Sequence, residues 1–137
     1  MEDISNFKIT LNELIALNNN LEIYILGGVP QWQPSLPRYL VNSRVLFEKI
    51  EADLYIKNSQ FLTVQERDVF IQNLVIETDQ NRLKFISLIE ELCIEDKCIA
   101  VKDDGMMQPY VWDYGHLTES GTNALADILL SKLGLNN

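Results

Sequence analysis

The run "LEIYILGGV" at residues 21–29 constrains the fold more than any other stretch of this chain. It is short, mostly apolar and rich in β-branched and aromatic residues, and it is closed by Gly27, Gly28 and Pro30. Such a run is typical of a strand that is buried on both faces, as in a parallel sheet. Residues 31–40 then form a predicted proline-bearing loop at the carboxyl end of the strand, where ligands of open α/β sheets bind.

Helical patterns lie on both sides of this strand. Apolar residues recur at spacings of three and four before residue 18, which predicts a first helix. Residues 41–57 are predicted to be helical, and "TVQE" at 63–66 has the spacing of a capping box before a third helix that reaches about Gln80. The last helix is predicted to begin near Thr118 as its N-cap. Its predicted buried side chains are Leu125, Ile128, Leu129 and Leu133.

The segment between the third and last helices is predicted to be mostly extended. "LKFISLIEEL" at 83–92 fits a strand or a helix, and we favour a strand that runs into the loop between Cys93 and Cys98. Residues 98–113 indicate a short strand or hairpin with Gly105 in its turn. Strands that alternate with helices predict a single layered α/β domain over residues 1–137.

Charge and hydropathy exclude several classes of protein. Twenty acidic residues against eleven basic ones give a net charge of -9, which disfavours nucleic acid or an anionic membrane surface as a partner. No apolar stretch approaches the roughly 20 residues that cross a bilayer, and the N-terminus lacks the features of an export signal. We therefore expect a soluble chain without direct membrane insertion. Two cysteines and one histidine fall short of a closed zinc site, so no metal and no other cofactor is expected.

The main candidate for chemistry is the sole histidine, His116, which follows Asp113 by three positions in "YVWDYGHLTES". A carboxylate at this spacing in a turn can accept the Nδ1 proton of the ring and leave Nε2 free as a base. The motif is short and common, however, and a histidine at a helix start is more often a capping or packing residue. The spacing identifies the pair without deciding its role.

Several other residues have two interpretations each. We predict Trp32 and Tyr114 as substrate-binding residues, although an aromatic side chain in such a loop more often packs against the core. Trp112 and Tyr114 flank the aspartate and either could wall the pocket, although core packing is the expected role of Trp112. Cys93 and Cys98 are close enough to close a small ring in an oxidising compartment, and they would remain thiols in the cytosol.

Three segments resemble one known superfamily. "YVWDYGHLTESGTNALADIL" resembles the C-terminal block of SGNH (GDSL-like) hydrolases. In that block an aspartate precedes the histidine of H-L-S/T-x-x-G, and a closing helix follows. The SGNH domains attached to O-antigen acetylase-type membrane acyltransferases (acyltransferase family 3) contain segments similar to "IYILGGVPQWQPSLPRYL" and "LCIEDKCIAVKDDGMMQPYVWDYGHL". The resemblance implies a three-layer, flavodoxin-like parallel sheet with flanking helices. It also implies that His116 is the catalytic base and Asp113 its orienting partner, and that Cys93 and Cys98 form a disulfide facing the periplasm.

The same resemblance implies an acyltransferase or esterase acting on acyl groups of cell-envelope carbohydrate, with a serine nucleophile. None of the serines of this chain follows glycine-aspartate, and the blocks that supply the oxyanion hole are not recognisable. A histidine base without a positioned hydroxyl cannot perform covalent acyl transfer. We therefore expect the C-terminal part of such a domain, inactive alone and periplasmic if it belongs to a larger membrane acyltransferase. The alternative is a non-catalytic module that binds carbohydrate or completes its sheet with another polypeptide.

Overall fold

Helices and strands alternate along most of the chain, which confirms the α/β class. The computed structural model describes residues 2–43, 53–102 and 108–135. The elements within these ranges are α1 (Glu2–Leu17), β1 (Ile23–Leu26), α2 (Leu36–Asn42), β2 (Leu54–Lys57), α3 (Phe61–Asp79), β3 (Leu83–Ile86), α4 (Leu88–Leu92), β4 (Cys93–Ile94), β5 (Lys97–Lys102), β6 (Gln108–Pro109) and α5 (Glu119–Lys132).

The described strands form two sheets. β1 and β3 pair in parallel, with Ile23 opposite Leu83 and Leu26 opposite Ile86. The second sheet has the order β2-β5-β4, with β6 also paired to β5, and all of its pairs are antiparallel. The predicted parallel pairing therefore holds for β1 and β3, and their carboxyl ends lie side by side at one edge of the sheet.

Two apolar clusters hold these layers together. The smaller one lies between α1, α3 and the parallel pair, and it includes Leu11, Val75 and Leu83. The larger one surrounds β5, and it includes Leu36 and Leu40, both fully buried, from α2. Full burial of one such side chain is worth about 1.5–3 kcal/mol, so α2 is a firm support for the loop that precedes it.

The prediction that β1 is buried on both faces is wrong. Its residues alternate, with Ile23 and Ile25 packed against the smaller cluster, while Tyr24 is 41% and Leu26 46% exposed. The apolar run was compatible with burial on both sides, but the other face of the pair is only partly covered. Ile86 packs there against the larger cluster, while Tyr24 and Leu26 stay partly exposed beside Lys84.

The predicted helix over residues 41–57 is wrong at both ends. α2 begins at Leu36, inside the predicted loop, because Pro37 occupies the first turn, where its missing N–H is not needed. Residues 54–57 form β2, since "LYIK" pairs with β5, and residues 44–52 lie outside the described part of the chain. The third helix starts at Phe61, ahead of the proposed capping box, and its N-cap Gln60 makes no side-chain cap hydrogen bond.

The segment after α3 is only partly the strand that we favoured. β3 ends at Ile86, and Ser87 then caps the short helix α4 by accepting a hydrogen bond from the Glu90 backbone N–H. β4 and β5 form a hairpin, while Gly105 lies outside the described residues. α5 follows the prediction, because the Thr118 side chain caps it by accepting from the Gly121 N–H. Of the four side chains predicted to be buried on α5, the structure buries Leu125 fully and the others, Ile128, Leu129 and Leu133, in part.

No helix in the described ranges combines the length and the apolar character that a membrane span requires.

Candidate active site

The loop between β6 and α5 is closed by backbone hydrogen bonds. The Trp112 N–H donates to the His116 carbonyl over 2.9 Å, and the Thr118 N–H donates to the Tyr110 carbonyl over 3.1 Å. Val111 and Leu117 form an isolated antiparallel bridge between these two bonds. The chain thus returns on itself within a few residues, which holds residues 113–116 at the tip.

Asp113 and His116 are in contact at this tip. Asp113 Oδ2 lies 2.7 Å from His116 Nδ1. The other carboxylate oxygen, Oδ1, accepts hydrogen bonds from the backbone N–H groups of Gly115, at 2.9 Å, and His116, at 2.8 Å. The carboxylate is therefore held by the backbone of its own turn while it orients the ring.

The electrostatics of this turn favour an ionised aspartate. Partial burial raises the pKa of Asp113, but the N–H groups of Gly115 and His116 and the His116 ring outweigh that effect and lower the pKa to about 2. A carboxylate that is ionised at neutral pH accepts the Nδ1 hydrogen, which leaves Nε2 of the neutral ring as an acceptor. The His116 side chain is 59% exposed, so this acceptor lies on the surface of the protein.

Two aromatic side chains flank the imidazole. The Trp112 ring stacks on His116 with 5.3 Å between ring centroids and 20° between planes, and Tyr114 meets it edge-on, also at 5.3 Å. Trp112 is 61% exposed, so the expectation that it packs in the core is wrong. Both rings contact the imidazole, and 59% of the His116 side chain nevertheless stays exposed.

The loop after β1 lies directly against this turn. The Trp32 N–H donates to the Tyr114 carbonyl over 2.6 Å, and the Leu36 N–H donates to the Asp113 carbonyl over 3.1 Å. These bonds bring the carboxyl end of a parallel strand to the acid–base pair, as expected for a ligand site of an α/β sheet.

Trp32 and Tyr114 line one cavity, although they differ in burial. Trp32 is only 5% exposed and belongs to the larger core cluster, whereas Tyr114 is exposed. Trp32 Nε1 is buried and has no hydrogen-bond partner, and a buried unsatisfied donor costs about 1–3 kcal/mol. The cavity has a volume of ≈ 350 Å³. Its other described lining residues are Gln31, Gln33, Ser35 and Gln60.

One buried carboxylate near this edge of the sheet was not predicted from the sequence. Asp68 of α3 is 5% exposed, and it accepts hydrogen bonds from the Gly28 N–H at 2.9 Å and the Ser87 hydroxyl at 2.6 Å. It thereby ties the carboxyl ends of β1 and β3 together. A charged residue at a helical spacing from buried Val64 and Val75 was the available signal.

The cysteines form a disulfide. Cys93 and Cys98 are opposite each other in the β4–β5 hairpin and are covalently bonded. This bond cross-links the β4–β5 hairpin, and the residues of β5 from Cys98 to Val101 are buried in the larger core cluster. In the described ranges, no group of three or more histidine, cysteine, aspartate or glutamate side chains is arranged to hold a metal ion.

Comparison with known proteins gives two matches. A family model described as "SGNH domain (fused to AT3 domains)" matches residues 2–131. A solved structure, the periplasmic domain of a lipopolysaccharide acetyltransferase of Salmonella ser. Paratyphi A, is similar with a TM-score of 0.74 and 26% sequence identity. The similarity covers 95% of this chain and 48% of that one, so the chain spans about half the length of that domain. No curated protein matches the chain.

Proposed function

Because the chain belongs to the family of SGNH domains that are fused to AT3 domains, we propose that it acts on acyl groups of cell-envelope carbohydrate, with Asp113 and His116 as its acid–base pair. The observation that carries this proposal is the 2.7 Å contact between Asp113 Oδ2 and His116 Nδ1 at an exposed ring. The similarity to a lipopolysaccharide acetyltransferase domain supports an acylated carbohydrate as the substrate class. The pair can serve either transfer or hydrolysis.

The proposed chemistry follows from the orientation of the ring. A hydroxyl group near Nε2 gives its proton to His116 while its oxygen forms a bond to the acyl carbonyl carbon, whose oxygen becomes an oxyanion. Asp113 stabilises the resulting imidazolium without taking its proton. When the tetrahedral intermediate collapses, the bond to the leaving oxygen breaks, and His116 returns the proton to that oxygen.

The proposal requires a nucleophile that this sequence does not supply in the form of a G-D-S motif. Within the described residues, the one hydrogen bond of the imidazole is its bond to Asp113. We propose that the attacking serine hydroxyl and the oxyanion donors come from a segment outside this sequence. We place the assembled domain in the periplasm, where the neighbouring domain lies and where a disulfide such as Cys93–Cys98 persists.

Acyl transfer is the direct test of this proposal. The protein that carries this chain is assayed for acetyl transfer to carbohydrate and for hydrolysis of p-nitrophenyl acetate, with His116→Ala as the variant and Asn123→Ala, exposed on α5, as the control. General base catalysis contributes about 10²–10⁴-fold, so we expect a loss of at least 10²-fold in His116→Ala alone. Full turnover in His116→Ala would contradict the proposal. A fluorophosphonate probe is expected to label the active assembly and to leave the isolated chain unlabelled.

A second candidate function is favoured by the open face of β1. Tyr24 and Leu26 expose apolar surface on a sheet of two described strands, and the chain covers about half of the similar domain. A non-catalytic half-domain would complete its sheet with another polypeptide along an edge of this two-stranded sheet, and the partner would then pack against the exposed side chains of Tyr24 and Leu26. In that case Tyr24→Lys abolishes the association, while His116→Ala leaves every function of the complex unchanged.

A further inference from the structure

We infer that the cavity beside Tyr114 binds a neutral, hydroxyl-rich sugar ring and discriminates against acidic sugars. The inference rests on the proposed function, because it names the substrate class of the same site. The side chains that line the cavity set which sugars fit, and neither the acid–base pair nor the family assignment fixes that selectivity.

The position of the cavity links it to the pair. Tyr114 is one of its walls. The Tyr114 and His116 rings meet edge-on, with 5.3 Å between their centroids. The Tyr114 carbonyl accepts a 2.6 Å hydrogen bond from the Trp32 N–H on the opposite loop. The Tyr114 side chain therefore stands between the cavity and the imidazole, which is not itself among the described lining residues.

The described lining of the cavity is polar but uncharged. The described lining residues are three glutamines, a serine, a tyrosine and a tryptophan, and none of them carries a charge. A side-chain amide both donates and accepts hydrogen bonds, as does each sugar hydroxyl, so the two can pair in either direction. The residues that supply these groups are Gln31, Trp32, Gln33, Ser35, Gln60 and Tyr114.

Two of these side chains differ in how their polar groups are placed. Trp32 Nε1 is buried without a hydrogen-bond acceptor in a side chain that is 5% exposed. Ser35 occupies the N-cap position of α2, yet its hydroxyl makes no cap hydrogen bond. A ligand hydroxyl in the cavity can exchange a hydrogen bond with the Ser35 hydroxyl. Trp32 Nε1 is buried away from the cavity surface, so the indole reports a bound ligand through the neighbouring lining atoms and does not donate to it.

The charges of the chain favour a neutral ligand over an acidic one. A carboxylate that enters this cavity loses hydration, and no described lining cation compensates for that loss. The net charge of -9 also lowers the local concentration of anions at the protein surface. A neutral hexose carries neither cost.

The two tryptophans make the test direct, because the chain gives two indole N–H signals in a ¹⁵N correlation spectrum. Methyl glycosides of glucose, galactose, mannose and rhamnose are titrated beside methyl glucuronide, and Trp112→Phe assigns the signals. We expect at least one neutral glycoside to shift the Trp32 indole signal, with binding at least tenfold tighter than that of the glucuronide. No shift with any neutral glycoside, or equal binding of the glucuronide, would overturn the inference.

A charge substitution tests the selectivity separately. Gln60→Arg introduces a cation into the cavity wall, and Gln65→Arg introduces the same cation on α3 outside the described lining. We expect Gln60→Arg to strengthen glucuronide binding roughly tenfold and Gln65→Arg to leave it unchanged. Unchanged binding in both variants would contradict the inference. Glycoside binding does not require turnover, so the two hypotheses can fail separately. Acetyl transfer without glycoside binding would refute this inference alone. Glycoside binding without acetyl transfer would refute the proposed function alone.

Discussion

The Asp113 carboxylate and the His116 ring meet at 2.7 Å, and the backbone N–H of the same histidine donates to the other oxygen of that carboxylate over 2.8 Å. One residue therefore both restrains the aspartate and is oriented by it. Because the Gly115 N–H adds a third hydrogen bond, the carboxylate has little freedom to leave the ring. All three hydrogen bonds of the carboxylate lie within one turn.

Replacement of this carboxylate is expected to impair the assembled enzyme severely. In Asp113→Asn, the amide can present its N–H₂ group to Nδ1, which favours the tautomer with hydrogen on Nε2 and removes the base. We expect kcat to fall by about 10²–10⁴-fold with little change in KM. Steady-state acetyl transfer by the carrying protein measures both constants. An Asp113→Asn variant with full kcat would show that the ring does not act as the base.

The lowered pKa of Asp113 predicts an acid-sensitive loop. Burial raises this pKa, while the Gly115 and His116 donors lower it to about 2, below the ordinary pKa of an aspartate. A carboxyl group with a depressed folded-state pKa stabilises the fold fully above its unfolded pKa and loses that contribution as the pH falls through the folded pKa. The contribution of Asp113 should therefore disappear between about pH 4 and pH 2.

Thermal unfolding from pH 5 to pH 2 measures this loss. Asp113→Asn is expected to show a flatter fall of the Tm in that range than the wild type. Asp127→Asn, which removes an exposed carboxylate of α5, is the control and should keep the wild-type slope. Asp79, whose pKa the Arg82 hydrogen bond also lowers, will leave some acid sensitivity in every variant. A slope that is identical in Asp113→Asn and the wild type would contradict the prediction.

The features that sequence analysis predicted correctly depend on nearby residues. Asp113 and His116 are three positions apart in a closed turn, and Thr118 caps a helix through a residue three positions ahead. Such relationships are encoded in the spacing itself. The α/β class was also accessible, because alternating strand and helix patterns do not require knowledge of which strands pair.

The features that were not predicted from the sequence depend on contacts between residues far apart in the chain. "LYIK" at Leu54–Lys57 is a strand because β5, whose paired residues lie 40 to 47 positions later, pairs with it. The buried Asp68 carboxylate accepts hydrogen bonds from Gly28, 40 residues before it, and from Ser87, 19 residues after it. The open face of β1 depends on which elements cover the sheet, which no local pattern records. Long-range pairing and burial therefore overrode local propensity at these positions.

Asp68 is expected to be a major determinant of stability. Its carboxylate accepts from the Gly28 N–H and the Ser87 hydroxyl, so Asp68→Ala leaves both donors without their acceptor at a buried position. We expect a loss of roughly 2–3 kcal/mol in the free energy of unfolding. Urea denaturation measures it, with Glu66→Ala on the exposed side of α3 as the control. A loss below about 0.5 kcal/mol in Asp68→Ala, the range of ordinary surface substitutions, would contradict this role.

Gly121 is expected to tolerate no side chain. A Cβ atom built on it would overlap the carbonyl oxygen of Tyr110, which also accepts hydrogen bonds from the Thr118 N–H and hydroxyl. Gly121→Ala must therefore push the start of α5 away from the loop that carries Asp113, at a cost of about 1–3 kcal/mol. Urea denaturation measures the cost, and Asn123→Ala on the same helix is the control. Wild-type stability in Gly121→Ala would show that this close approach is not required.

The disulfide should stabilise the chain modestly, because it closes a short loop. Cys93 and Cys98 are separated by 5 positions, and the loop-closure entropy that such a cross-link removes from the unfolded chain is worth about 2 kcal/mol. Urea denaturation with and without a reducing agent should therefore differ by this amount in the wild type. The double variant Cys93→Ala and Cys98→Ala is the control, since its stability must be insensitive to the reductant. If reduction leaves the wild-type midpoint unchanged, the cross-link does not constrain the unfolded chain, and the stability of the hairpin must come from the buried residues of β5 alone.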